Sequence, residues 1–226
     1  MREETLEIPL FPLDVVLFPG MALPLHIFEP RYRLMVDTCL QGNRQFGVLL
    51  AKPSQADPSQ TTAYPVGTAA LITHVDTRED GNLDIQTAGM ERFRVLHIVH
   101  TEPYAVGRIE PFPLEQVHSP AVMSQVKNAG SLFVRYLRLI AEVLGTIIRV
   151  EEAPRDASSL AYLIGIALQV SMEEKQSLLS VLTLPALLAR EAQILSREET
   201  LLTRMREMQK TEAGYIRGAT GHLSLN

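Results

Sequence analysis

Up to about residue 118, the apolar residues of this chain fall in short runs with a period near two. Beyond it they recur every three to four residues. The first half contains "IPLFPLDVVLF", "MALPLHIF", "QFGVLLA", "GTAALITHV", "NLDIQTAG" and "RFRVLHIVH", each bounded by turn residues. These runs predict β-strands. "EDGN" at 79–82 predicts a hairpin turn, because Asp-Gly and Gly-Asn tolerate positive φ. In "RFRVLHIV" both alternating sets are apolar, Phe93, Val95 and Val99 on one and Leu96 and Ile98 on the other, so that strand is expected to be covered on both faces. Many short strands at regular spacing point to a small barrel or closed sheet.

One helix interrupts the β half. Pro30 suits a first helical turn, where its missing N–H would be unpaired anyway. Over 31–41, Met35, Val36, Cys39 and Leu40 follow helical spacing, with Gly42-Asn43 as a C-terminal cap. The stretch "FPGMALPLHIFEPRYRLM" from Phe18 to Met35 is then a strand that hands over to a helix at "EPRYR". Residues 52–65 are polar with three prolines and read as a mobile surface loop.

The second half reads as four helices. Residues 124–145 place Leu132, Phe133, Tyr136, Leu137 and Ile140 on one stripe. Residues 156–170 follow, with Asp156 as N-cap. A short helix over 171–182 has Ser171 and Glu174 at capping-box spacing. A long one runs from about Pro185 to Lys210. Its Leu187, Ile194, Leu201 and Met208 recur every seven residues, as do Leu188, Leu195 and Leu202, while Glu191, Arg197, Glu198, Arg204 and Arg206 are expected off that seam. Such a seam packs on other helices or pairs with a partner helix. Residues 211–226 are small and polar and are expected to be a flexible tail. The fold class is therefore α+β, with a β-rich part over 1–118, a helical bundle over 119–210 and the tail.

Composition narrows the function classes. The 226 residues are 46% hydrophobic and 21% charged, which is globular rather than disordered. No apolar run reaches the ~20 residues of a membrane span, and the N-terminus shows no secretion signal. With Cys39 the single cysteine, no disulfide can form within the chain, and a cytoplasmic location is expected. Residues 1–118 hold 9 Lys and Arg against 15 Asp and Glu, net −6, and residues 119–226 hold 12 against 11, net +1. Neither half is a phosphate-neutralising surface, so nucleic acid is the less expected partner.

Catalytic constellations are not found. The chain has no P-loop and no G-x-S-x-G elbow. Cys39 falls on the apolar side of its helix, as a buried thiol does. His97 and His100 are three apart on a strand and point to opposite faces, which does not chelate a metal. No cofactor, metal or catalytic residue is expected. Glu29, Arg31 and Arg33 crowd the strand–helix junction. They are read chiefly as a carboxylate near a helix N-terminus and arginines that pin loops, the alternative being a charged ligand clamp. Arg92 and Arg94 are read as bonding neighbouring turns, and Gly89 as marking a bulge or close backbone approach.

At this point the sequence resembles a known family. "IPLFPLDVVLFPGMALPLHIFEPRYRLMV", "FGVLL", "VGTAALI", "DGNLDIQTAGMERFRV" and "EPYAVGRIE" are similar to the N-terminal domain of Lon proteases, and "AYLIGIALQVSMEEKQSLLSVLTLPALLAREAQIL" to the bundle that follows it there. The resemblance covers about 200 residues. It implies a PUA-like β pseudo-barrel followed by a helical bundle. Full-length Lon carries an ATPase module and a Ser-Lys protease domain. The lysines here, Lys52, Lys127, Lys175 and Lys210, lie in no Walker motif. The resemblance therefore implies a stand-alone substrate-binding-domain protein, not a protease.

Two function classes follow. The first is a non-catalytic binding module for exposed apolar segments of unfolded or degron-bearing proteins, with a separate ATP-dependent protease as a further partner. Its candidate surface comprises Phe18, Met21, Phe28, Arg31 and Tyr32, with the groove between barrel and bundle, whereas Leu23, Leu25 and Ile27 are read as core. The alternative is an RNA-binding module, since PUA-like folds also occur in RNA-binding proteins. The net −6 of the β half counts against it.

Overall fold

The computed structural model describes residues 6–52, 62–146, 154 and 156–220, with side chains through 208. Seven strands come first: β1 (Leu6–Leu13), β2 (Ala22–Ile27), β3 (Gln45–Lys52), β4 (Thr62–Ala63), β5 (Val66–Thr77), β6 (Leu83–His100) and β7 (Val106–Pro111). Helix α1 (Pro30–Gln41) is inserted between β2 and β3. After β7 come α2 (Pro120–Leu144), α3 (Ala157–Ala167), α4 (Met172–Leu179) and α5 (Leu184–Thr220).

The strand order is β1-β7-β6-β5-β3-β4, and β1 also pairs with β3 in parallel. The path of pairings through β1, β7, β6, β5 and β3 therefore returns to its start. The antiparallel β5–β6 hairpin turns at the predicted site, where Gly81 has φ +77° and Arg78 N–H donates to the Asn82 carbonyl oxygen at 2.9 Å.

"NLDIQTAG" and "RFRVLHIVH" form one strand rather than two, since β6 runs unbroken for 18 residues. Its first part pairs with β2 and β5, and its last part with β7. The expectation that its end is covered on both faces fails. Phe93 is buried, but Leu96, Ile98 and Val99 are exposed. The cause is local. β5 stops at Val66, opposite Arg94, and register shifts follow at Val95/His97 and Ile98/His100. Bulges of this kind break the in–out alternation on which the expectation rested.

Helix α1 begins with Pro30 in its first turn, as predicted, and buries Tyr32, Met35, Val36 and Cys39 on the sheet with Phe11, Phe46 and Ile72. Of the expected loop at 52–65, residues 53–61 lie outside the described residues, and Thr62–Ala63 is strand.

Helix α2 starts four residues before its predicted start, with Pro120 in its first turn, and ends at Gly145 in the left-handed region. Asp156 caps α3 by accepting from Ser159 N–H at 2.8 Å, and Ser171 caps α4 by accepting from Glu174 N–H at 3.2 Å. The return half of the capping box is also present, since the Ser171 main-chain N–H donates to the Glu174 carboxylate and, with Arg197 the larger cause, helps hold it below its usual range. The same carboxylate pairs with Arg197 of α5, at 2.7 and 3.1 Å. Helix α5 is longer than predicted. It continues through the stretch taken as tail as far as Thr220, about 55 Å in all.

The Arg135–Glu199 and Glu142–Arg206 pairs both span 64 residues, so α2 and α5 run side by side in the same direction. The α5 seam is covered in its first half, where Leu187, Leu188, Ile194 and Leu195 are buried, and open in its second, where Leu201 and Met208 are exposed. Glu191, expected off the seam, is fully buried.

Sheet and helices share one core: Phe18, Leu50, Val66 and Phe112 pack with Phe133, Tyr136, Leu160, Ile164 and Leu188. Arg92 Nη1 donates to the carbonyl oxygens of Leu179 and Val181 at 2.6 and 2.8 Å. Gln176 Nε2 donates to the Val66 carbonyl oxygen at 3.0 Å. Main-chain bonds of Glu115 to Leu182 and Leu184 complete the seam.

Candidate functional site

The five candidate residues separate into two sets. Phe18 is 1% exposed, with its ring against Gly165 of α3, where an added Cβ would come within 2.7 Å of it. Tyr32 is buried and stacked on Phe11, ring centroids 4.0 Å apart. Burial holds its phenol above the usual range, although the neighbouring Arg31 pulls the other way. Met21 is partly buried between the two larger cores. These three side chains build the frame, and the surface reading of Phe18 and Tyr32 is corrected accordingly. Leu23 and Ile27 are core, as expected, with Leu25 packed at the margin.

Phe28 and Arg31 reach solvent. β2 pairs with β6 so that His26 sits opposite Asp84 and Ile27 opposite Leu83. Ile27 points into the core, and the alternation turns Phe28 outward, 61% exposed. The His26 ring stacks beside Phe28 at 6.1 Å, and its Nδ1 lies 2.7 Å from Asp84 Oδ1. Arg78 Nε donates to the other oxygen of Asp84 at 2.5 Å. Hydrogen bonds from His26 and then Arg78 hold the Asp84 carboxyl below its usual range.

Arg31 donates through Nε to Glu29 at 2.9 Å and lies 4.5 Å over the Tyr32 ring. Arg33 Nη1 donates to the Gly81 carbonyl oxygen at 3.0 Å and so ties α1 to the hairpin tip. The two arginines thus do the pinning that the sequence suggests. Leu34, one turn after Arg31 on the outer face of α1, is 49% exposed. The sequence reading missed Leu34, although the buried set Tyr32, Met35, Val36 and Cys39 places it on the opposite side of the helix. The result is two exposed apolar side chains, Phe28 and Leu34, around the strand–helix junction, beside arginines that are already engaged.

Where the sheet meets the helices, Phe18, Val66 and Phe112 pack against α2, α3 and α5 in the shared core. Shallow grooves lie between helices: one of about 210 Å³ between α4 and α5, lined by Glu174, Arg190 and Arg197, and one of about 510 Å³ between α2 and α5, lined by Leu132, Arg135 and Thr203. Among the described residues no three His, Cys, Asp or Glu side chains are grouped to hold a metal ion. Among the described residues no helix is long and apolar enough to cross a membrane.

Comparison with known proteins bears on this arrangement. A family model described as the ATP-dependent protease La (LON) substrate-binding domain matches residues 7–197. Lon protease of Dictyoglomus thermophilum is 26% identical over 200 residues, covering 86% of this chain and 25% of that protein. Lon protease of Desulfosudis oleivorans is 28% identical over 181 residues, covering 77% and 22%. The chain thus spans about a quarter of the length of these curated relatives.

Among solved structures, the Lon N-terminal domain protein from Xanthomonas campestris matches with a TM-score of 0.57 at 25% identity, over 84% of this chain and 98% of that one. The N-terminal domain of the Mycobacterium avium complex Lon protease matches with a TM-score of 0.60 at 17% identity and the same coverage, a likeness of fold alone. Because the match runs from the first strand through the packed half of α5, the chain belongs to the Lon substrate-binding domain family.

Proposed function

We propose that this chain is a non-catalytic binding module that holds exposed apolar segments of other proteins, unfolded or degron-bearing, and passes them to a separate ATP-dependent protease. The observation that carries the reading is the 61% exposure of Phe28 on an otherwise buried aromatic frame. Holding a large ring in water has no structural benefit, and exposed apolar side chains grouped on a rigid face suit partner binding. Leu34 extends the face along α1, and Arg31 sits between them at three-residue spacing. The family description supports the same reading. The closed cycle of strand pairings supports a PUA-like pseudo-barrel as the frame. RNA is not favoured, since the β part carries net −6.

The test is fluorescence anisotropy of labelled apolar peptides, alongside light scattering of a heat-unfolded client. Binding and suppressed scattering are expected for the wild type, and both are expected to weaken in Phe28→Ala/Leu34→Ala. A panel of peptides and clients that neither binds nor changes its scattering would end the proposal.

A further inference from the structure

We propose that the segments this face takes are cationic as well as apolar, an inference that rests on the binding reading above. The argument is charge complementarity around Phe28 and Leu34. The cations beside the pair are already engaged: Arg31 by Glu29, Arg78 by Asp84, and Arg33 by the Gly81 carbonyl oxygen. The anions outnumber them. Between residues 76 and 84 the hairpin carries Asp76, Glu79, Asp80 and Asp84 against Arg78 alone. Asp80 accepts from the main-chain N–H and side-chain amide of Asn82, a neutral partner, at 3.0 and 2.8 Å. No hydrogen bond or ion pair engages exposed Glu79, or exposed Asp37 one turn beyond Leu34 on α1.

The tip is held beside the apolar pair by two links, Arg33 to Gly81 and His26 between Phe28 and Asp84. Negative charge therefore flanks the apolar pair on the hairpin side and on the α1 side. An apolar segment with Lys or Arg at its ends satisfies both, and one with Asp or Glu meets like charge.

The experiment uses the full chain and two labelled peptides with one shared apolar core, one flanked by lysines and one by glutamates. Affinities are measured at about 0.01 M and about 0.15 M salt, where screening lengths are ~30 and ~8 Å. The lysine-flanked peptide is expected to bind about tenfold more tightly at low salt. The ratio is expected to shrink at the higher salt and in Asp37→Asn/Glu79→Gln, whose side chains make no bond that the fold needs. Equal affinities, or preference for the glutamate peptide, would overturn the inference and leave the binding reading standing. Absence of binding by either peptide would remove both. Phe28→Ala, which leaves the charges in place, is expected to weaken both peptides equally.

Discussion

The guanidinium of Arg92, on β6, donates to the carbonyl oxygen of Leu179, at the end of α4, over 2.6 Å. A second bond reaches Val181 at 2.8 Å, and the Phe112 ring lies 4.8 Å from the guanidinium carbon. A buried arginine thus closes the helical part onto the sheet. Burial lowers its pKa from the usual value, yet it stays charged at neutral pH. Arg92→Met removes two charge-assisted bonds and is expected to lower stability by about 3–5 kcal/mol. Arg92→Lys is expected to restore less than half of that, since an ammonium does not reproduce the planar fork. Urea unfolding followed by circular dichroism checks both.

Glu191 is the opposite case. Its carboxyl is fully buried on α5, and both oxygens have no hydrogen-bond partner. Burial pushes its pKa well above the usual carboxylate value. A folded pKa above the unfolded one means that the native state holds the extra proton. The stability contribution is full below the unfolded pKa of about 4.3 and is lost as pH rises toward the folded pKa. Glu191→Leu is therefore expected to stabilise the chain, and by more at about pH 8 than at about pH 5. Thermal melts across that range test the slope, and a gap that narrows with pH would contradict the assignment.

Two glycines predict opposite signs. A Cβ at Gly89 would lie 2.2 Å from the Phe18 carbonyl oxygen, where main chains cross and Gly89 N–H donates to Met21. Gly89→Ala is expected to cost ~3 kcal/mol or more. At Gly130, inside α2, the nearest atom would be Leu160 Cδ2 at 3.7 Å. Gly130→Ala is expected to gain about 0.5–1 kcal/mol through helix propensity. Chemical denaturation of the two variants side by side separates them.

Cys39 is buried on the sheet-facing side of α1, and burial pushes its thiol up to about 11. At neutral pH a chromogenic disulfide reagent is expected to leave the native chain unmodified and to titrate one thiol in denaturant. Rapid native labelling would mean that α1 lifts from the sheet.

Much of the fold was legible because period and punctuation are local properties. The change of period near residue 118, the "EDGN" turn, Pro30 opening α1 and the caps Asp156 and Ser171 all rest on neighbours within a few residues. What failed depended on distant partners. Phe18 and Phe28 look alike in sequence. One is buried because Gly165 of α3 leaves room for its ring, and the other faces out because the β2–β6 register turns Ile27 inward. Glu191 carries the code of a surface residue, yet it is fully buried on α5, close enough to Tyr162 of α3 to act on its phenol. The exposed end of β6 depends on bulges, which no alternation rule announces. Of the candidate site, the junction was found, but its outward members were told from its frame only by the packing.

The bulged end of β6 has a consequence for how copies of this chain behave when crowded. Where β6 overruns β5, one edge of the strand has no partner among the described residues while the other pairs with β7, and Leu96, Ile98 and Val99 stand in water. A straight rim of that kind invites molecules to zip together into sheets that grow without limit. Two offsets within six residues bend the template, so a second copy meets a warped margin and gains few bonds in succession. The distortion makes that edge a poor template for a further strand.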